Sequence, residues 1–221
     1  RQRPLVLDTR IDSTTTLAAA LERCQQPPLA FLQASGSNYY GNHRDHYMSE
    51  VMPAANDFMA EHTVAWEESA HPIARHTRLT LGRTAMVLAE DAPAWQLLLL
   101  PIRLFVGGRL GSGRQFFPWI EADDAARAIL FLLETESAAG AYNLAAPQPV
   151  RQLELVRAAA RRLRRPALLP LPAFLLRIVL GGLADALLLP SQRVRPSRLL
   201  AAGFTFTDPD LERALDHLLG P

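Results

Sequence analysis

The stretch Leu29-Ala-Phe-Leu-Gln-Ala-Ser-Gly-Ser-Asn-Tyr-Tyr-Gly41 constrains this chain most, because a short apolar run stops abruptly there in small and hydroxylated residues. It reads as a buried strand entering a pocket. In an open α/β sheet ligands bind beyond the carboxyl ends of the strands, so the turn after such a strand is where chemistry is expected. Ser35, Ser37, Tyr39 and Tyr40 are its hydroxyl-bearing candidates.

Upstream, Leu17, Leu21 and Cys24 recur at helical spacing behind Ser13, a preferred N-cap, which predicts a helix over 14–25 ending at Pro27-Pro28, with Cys24 in the core. Helix, connector and strand in that order are the back half of a βαβ crossover without its first strand. With 221 residues and 49% hydrophobic content, the chain suits one large domain or one domain with a small appendage. Its 23 Lys and Arg against 22 Asp and Glu give no global basic field, which sets nucleic acid aside as a partner. A lone cysteine excludes an intramolecular disulfide and any multi-cysteine zinc site, and suits a reducing cytoplasm. No apolar segment followed by a cleavage site opens the sequence, as a signal peptide would require. The most apolar region, 167–190, is interrupted by Pro170, Pro172, Arg177 and Asp185, short of the roughly 18–20 uninterrupted apolar residues of a membrane span.

After the turn, 43–52 is polar and aperiodic and reads as a loop over the pocket. His43, Asp45 and His46 are close in sequence but lack a helical register or a further ligand, so no metal site is expected. Asn56 or Asp57 caps a helix through Ser69. The β-branched and aliphatic run 77–88 predicts a second central strand with a turn near 82–84, and Pro93 opens a short helix interrupted at Pro101. The glycine-rich stretch 107–115 lacks both the Gly-Lys-Ser/Thr ending of a P-loop and the spacing of a dinucleotide fingerprint. It reads as a flexible loop leading to an edge strand at 116–120, with Arg114 and Gln115 able to face polar or acidic substrate groups. Asp123 or Asp124 caps the next helix, and 141–145 forms one more strand. From Val150 the texture becomes helices separated by prolines. Arg157, Arg161, Arg162, Arg164 and Arg165 make a solvated cationic face, 174–188 is apolar nearly all round, and Asp208-Pro209 starts the last helix.

Taken in order, Ala-Ser-Gly-Ser-Asn-Tyr-Tyr-Gly (34–41), Glu50 with Pro53, Asp57-Phe58, Trp66-Glu67, the run 83–88, Gly111-Ser-Gly-Arg-Gln, Trp119-Ile-Glu-Ala-Asp-Asp, Tyr142-Asn143, Arg193-Val-Arg-Pro and Gly203-Phe204 resemble one known group. It is the atypical, epimerase-like branch of the extended short-chain dehydrogenase/reductase superfamily, the nucleoside-diphosphate-sugar epimerase or cell-division-inhibitor-like group. The resemblance implies an α/β fold in which residues 1–149 are the C-terminal part of a Rossmann-like NAD(P)-binding parallel sheet, truncated at its amino end. Residues 150–221 would be a small, mainly helical domain on the substrate side.

The resemblance also implies NADP or NAD as cofactor, with NADP favoured, and a small-molecule substrate of nucleotide-sugar-like type. The nicotinamide end would rest near Ala34, Ser35, Arg83 and Thr84, and Tyr40, Arg114, Gln115 and Trp119 would face the substrate. The superfamily's orienting Ser/Thr falls on Gly36, and its Tyr-x-x-x-Lys pair on Phe58 and His62, so the usual catalytic set is degenerate. Ser35, Ser37, Tyr39 or Tyr40 would have to substitute, with Ser35 and Tyr40 the favoured candidates. The expectation is an oxidoreductase or epimerase-like protein, with a non-catalytic NAD(P)-binding or protein-interaction regulator on the same fold as the alternative. A sheet exposed by truncation would also favour self-association.

Overall fold

The computed structural model describes residues 2–182 and 184–220. Helix α1 (Gln2–Glu22) leads into strand β1 (Ala30–Gly36), which ends in a 3₁₀ turn (Ser37–Tyr40). After the short strand β2 (Tyr47–Met48) come α2 (Phe58–Ser69), β3 (Arg78–Thr84), β4 (Met86–Leu88) and α3 (Pro93–Arg103). Strands β5 (Phe116–Phe117) and β6 (Trp119–Glu121) precede α4 (Ala122–Glu134) and β7 (Gly140–Leu144). The remainder is β8 (Val150–Arg151), α5 (Gln152–Arg162), α6 (Ala173–Leu180), β9 (Arg193–Val194), α7 (Ser197–Ala201) and α8 (Leu211–Leu219). This is the α/β, Rossmann-like arrangement, a parallel sheet with helices.

β1, β3 and β7 form the parallel sheet with β3 in the middle. Alternation along β3 turns Leu79, Leu81 and Arg83 to one face, and the two leucines pack with Ala18 of α1, Ala70 and Ile73. Gly82 belongs to the other face. A Cβ there would come within 3.1 Å of the Leu144 side chain and 3.4 Å of Leu32, so a small residue lets the neighbouring strands' leucines close over it. A second apolar cluster joins Trp95, Leu99 and Trp119 to Leu155 and Val156 of α5 and to Leu211 and Leu215 of α8. Chain segments on both sides of residue 149 therefore share a core.

Several sequence expectations shift. Ser13 is interior to α1 rather than its N-cap: Ser13, Thr14, Thr15 and Thr16 each donate a hydroxyl to the carbonyl four residues back, at 2.7–2.9 Å, which satisfies them inside a helix. Cys24 is exposed, because α1 has already ended at Glu22. The run 77–88 is two strands. β3 pairs with β1 and β7, whereas β4 changes partner to β6, and the expected edge strand at 116–120 divides at Pro118 into β5 and β6. Glu121, rather than Asp123 or Asp124, caps α4, accepting from Asp123 N at 2.6 Å and Asp124 N at 3.2 Å. The last helix is capped by Asp210, two residues beyond Asp208. Two of the arginines expected to be merely solvated reach α8, Arg161 to Glu212 and Arg162 to Glu212 and Asp216. Among the described residues no helix is long and apolar enough to cross a membrane, and no group of three or more potential ligands is placed to hold a metal.

Candidate functional site

Strand register places Ser35, Arg83 and Asn143 side by side across β1, β3 and β7, one row before the carboxyl end of the sheet. All three are buried. A cation in that position needs a partner, since an unpaired charge out of water is strongly unfavourable. Glu67, on the inner side of α2, supplies it. The Arg83 Nε donates to Glu67 Oε1 at 2.8 Å and Nη2 to Oε2 at 2.9 Å, and the Ser35 hydroxyl donates to the same Oε1 at 2.6 Å.

The third arm of Arg83 turns toward the 3₁₀ turn. Its Nη1 donates to the Tyr40 hydroxyl at 3.1 Å, and Tyr40 in turn donates to Asn143 Oδ1 at 2.8 Å. The guanidinium also lies over the Tyr39 ring, 3.3 Å from its centroid. Asn143 carries the network outward: its backbone N–H donates to Glu50 Oε1 at 3.1 Å and its amide to Arg195 O at 2.9 Å. Burial pushes the Tyr40 phenol above its ordinary 10.0, outweighing the opposing pull of Arg83. Burial alone would lower Arg83, but its bonds to Glu67 and Tyr40 win and hold the guanidinium charged.

At the β1 end of this row, between α1 and α2, lies a cleft of about 50 Å³, lined by Arg10, Gly36, Asn38, Met59, His62 and Trp66 among others. Its floor is Gly36, where an added Cβ would meet only Asn38 N, 3.9 Å away, so the backbone at the strand end is open to a ligand. His62 stands on the α2 wall with its ring 4.6 Å from that of Phe58. Arg10 stacks over Trp66 at 4.7 Å, and Trp66 Nε1 donates to Thr14 Oγ1 at 3.2 Å, fixing α1 against α2. A larger groove of about 410 Å³ opens elsewhere, between α3 and the end of α8, lined in part by Trp95, Gln96, Arg103 and His217. It holds none of the row's side chains, so size is a poor guide to chemistry here.

The structure brings Ser35, Tyr40 and Arg83 into one network. Ala34 is exposed beside it, and Thr84, half-buried, donates its hydroxyl to Gly82 O at 3.1 Å. Arg114 is exposed. Gln115 is buried, donating to Leu110 O and Leu188 O at 3.0 and 3.1 Å, and Trp119 is 1% exposed within the α5–α8 core. The hydrogen bonds of Gln115 tie loops together, and none of them reaches the Ser35–Arg83–Asn143 row. Glu67 and Asn143 are the members that sequence reasoning left without a role. A signal existed for Glu67, because Arg83 shares its face with Leu79 and Leu81 and so had to find a buried carboxylate.

A family profile described as the NAD dependent epimerase/dehydratase family matches residues 2–145, and one described as a domain of unknown function, DUF1731, matches 171–218. An epimerase family protein of Staphylococcus epidermidis is 38% identical over 213 residues, 96% of this chain and 71% of the relative. The Bos taurus epimerase family protein SDR39U1 is 37% identical over 216 residues, 97% of this chain and 74% of that one. Among solved structures, human SDR39U1 (isoform 2) with NADPH superposes with a TM-score of 0.92 at 34% identity, covering 97% of this chain and 73% of that one. A nucleoside-diphosphate sugar epimerase from Corynebacterium glutamicum gives 0.81 at 25% identity, over 99% of this chain and 43% of its own.

Proposed function

Since the chain belongs to the NAD-dependent epimerase/dehydratase family, we propose that it serves an NADP(H)-dependent oxidoreductase or epimerase-type reaction on a small molecule, with the nicotinamide end of the cofactor lying across the cleft over Gly36. The observation that carries this is the open backbone at Gly36, at the carboxyl end of a parallel strand and flanked by His62 and Asn38. NADP is preferred over NAD because the similar human protein was solved with NADPH. Bound there, the cofactor would supply hydride chemistry. Ala34, Ser35, Arg83 and Thr84 would shape the cofactor side, with Tyr40 and Arg114 toward the substrate; Gln115 and Trp119, buried away from the row, take no part.

Within this reading Ser35 and Tyr40 act by holding the strand ends and the 3₁₀ turn in place. Both hydroxyls already donate to buried acceptors, and a phenol held above its ordinary range is a weak acid at neutral pH. That commitment also favours a second reading, a non-catalytic NADP(H)-binding regulator. Turnover separates the two: an oxidoreductase consumes bound NADPH, read as loss of its fluorescence, when small-molecule substrates are added, whereas a regulator binds NADPH and leaves it unconsumed. The common premise is tested by fluorescence titration of NADPH, with NADH as comparator. Saturable NADPH binding supports it, and no binding at high micromolar cofactor sinks it.

A further inference from the structure

The guanidinium groups of Arg151, Arg193 and Arg195 alternate with two aromatic rings. Arg151 and Arg193 lie 4.4 and 4.6 Å from the Phe116 centroid, and Arg193 and Arg195 lie 3.8 and 6.0 Å from that of Tyr47. The backbone builds this ladder: Phe116 is the register partner of Arg151 in the β5–β8 pair, and Tyr47 of Arg193 in the β2–β9 pair. Arg151 and Arg193 are thereby held within about 9 Å of each other, roughly one Debye length at physiological salt.

The carboxylates nearby do not neutralise the ladder. Asp45 is taken by Arg151, at 3.3 and 3.2 Å, and Glu154 accepts from the Arg151 backbone. Arg193 Nη1 finds only the Asp45 carbonyl, at 3.3 Å, and among the described residues no carboxylate pairs with the side chain of Arg193 or Arg195. Arg44 and Arg114, both exposed, stand on the adjoining loops, where their carbonyls accept from Ser191 and Arg151. Within the ladder itself, three arginines share one side-chain carboxylate partner, Asp45. Arg195 makes no side-chain hydrogen bond among the described residues and Arg193 keeps its Nη2 unbonded, so these two stacked guanidiniums have N–H groups left for an oxyanion. Tyr47 is 49% exposed, so the ladder is open to solvent.

We infer that the ladder is an anion-binding site for a ligand carrying a doubly charged oxyanion, a phosphate ester or a dicarboxylate. It adjoins the candidate site through Gln192, which precedes Arg193 and accepts from Ser37 at 3.0 Å, yet it does not depend on the nicotinamide reading.

The test is an NMR titration of the 221-residue chain with inorganic phosphate, malonate and chloride at fixed ionic strength, at a mildly alkaline pH where both oxyanions carry two charges. Saturable shifts at Tyr47, Arg193 and Arg195 are expected, with a dissociation constant on the order of 1 mM for one dianion. Tighter phosphate assigns a phosphate ester, and tighter malonate assigns a dicarboxylate. Arg195→Met, at an exposed position, should weaken binding at least about tenfold, Arg193→Met/Arg195→Met should abolish it, and Arg195→Lys should fall between. Gly36→Leu should leave it unchanged, which separates this site from the cofactor cleft. No saturation by about 20 mM, chloride binding as well as either dianion, binding unaltered in Arg195→Met, or loss in Gly36→Leu would each overturn the assignment.

Discussion

Glu67 on α2 and Arg83 on β3 meet in a two-pronged ion pair, side chains 7% and 6% exposed, and that pair holds Ser35 on one side and Tyr40 on the other. Buried pairs of this kind are costly to break singly, because the survivor is left charged out of water. Glu67→Ala is expected to destabilise the chain by about 3–5 kcal/mol. Glu67→Leu combined with Arg83→Met should cost less than Glu67→Ala alone, since no charge is stranded. Urea unfolding of both variants checks the order, and a double variant less stable than the single one would contradict it.

Asp124, fully buried at the start of α4, accepts from the backbone N–H groups of Thr207 and Asp208 at 2.9 and 2.8 Å and from Arg127 at 2.6 Å. It therefore ties the Trp-Ile-x-x-Asp-Asp segment to the chain entering α8. Asp124→Ala should cost about 3 kcal/mol by leaving two donors without a partner. Amide exchange at Thr207 and Asp208 should accelerate more than exchange in β3. Uniform acceleration would mean that the carboxylate does not hold this segment.

Burial raises the Glu121 carboxyl above its ordinary 4.5, and the helix N–H groups it caps oppose the shift only in part. Well below pH 4.5 the group is protonated whether folded or unfolded and makes no difference between the states. As pH rises through that value the unfolded chain ionises first, so Glu121 favours unfolding progressively until the folded carboxyl ionises as well. A glutamine in its place would keep an accepting oxygen for the cap and would not titrate. The melting temperature of Glu121→Gln, relative to the parent, should therefore rise as the pH increases from about 4; parallel curves would show that the carboxyl is not shifted.

The apolar run ending at 34 and the β-branched, aliphatic run 77–88 announced buried strands, and the ordered motifs pointed to the family. The row itself was not legible. Ser35, Arg83 and Asn143 lie far apart in sequence and become neighbours only through strand register, which depends on which strands pair. Local signals erred where a competing hydrogen bond was equally local. Ser13 looked like a cap because serine so often is one, yet in α1 the carbonyl of Thr9 satisfies it. Glu121 outcompeted its two aspartate neighbours for the start of α4 because its carboxylate reaches the amides of both. Gln115 and Trp119 sat in a motif that resembled substrate contacts, but packing by α5 and α8, which no local pattern reveals, encloses Trp119.

The central claim, that the nicotinamide end lies over Gly36, is tested most directly at Met59, the one of four methionines that lines the cleft. In the chain labelled with ¹³C-methyl methionine, NADPH should shift the Met59 methyl signal in a saturable manner and leave that of fully buried Met48 in place. Gly36→Leu, which fills the open space above the strand end, should abolish the shift. An unmoved Met59 signal at saturating NADPH, or a shift that persists in Gly36→Leu, would contradict the account.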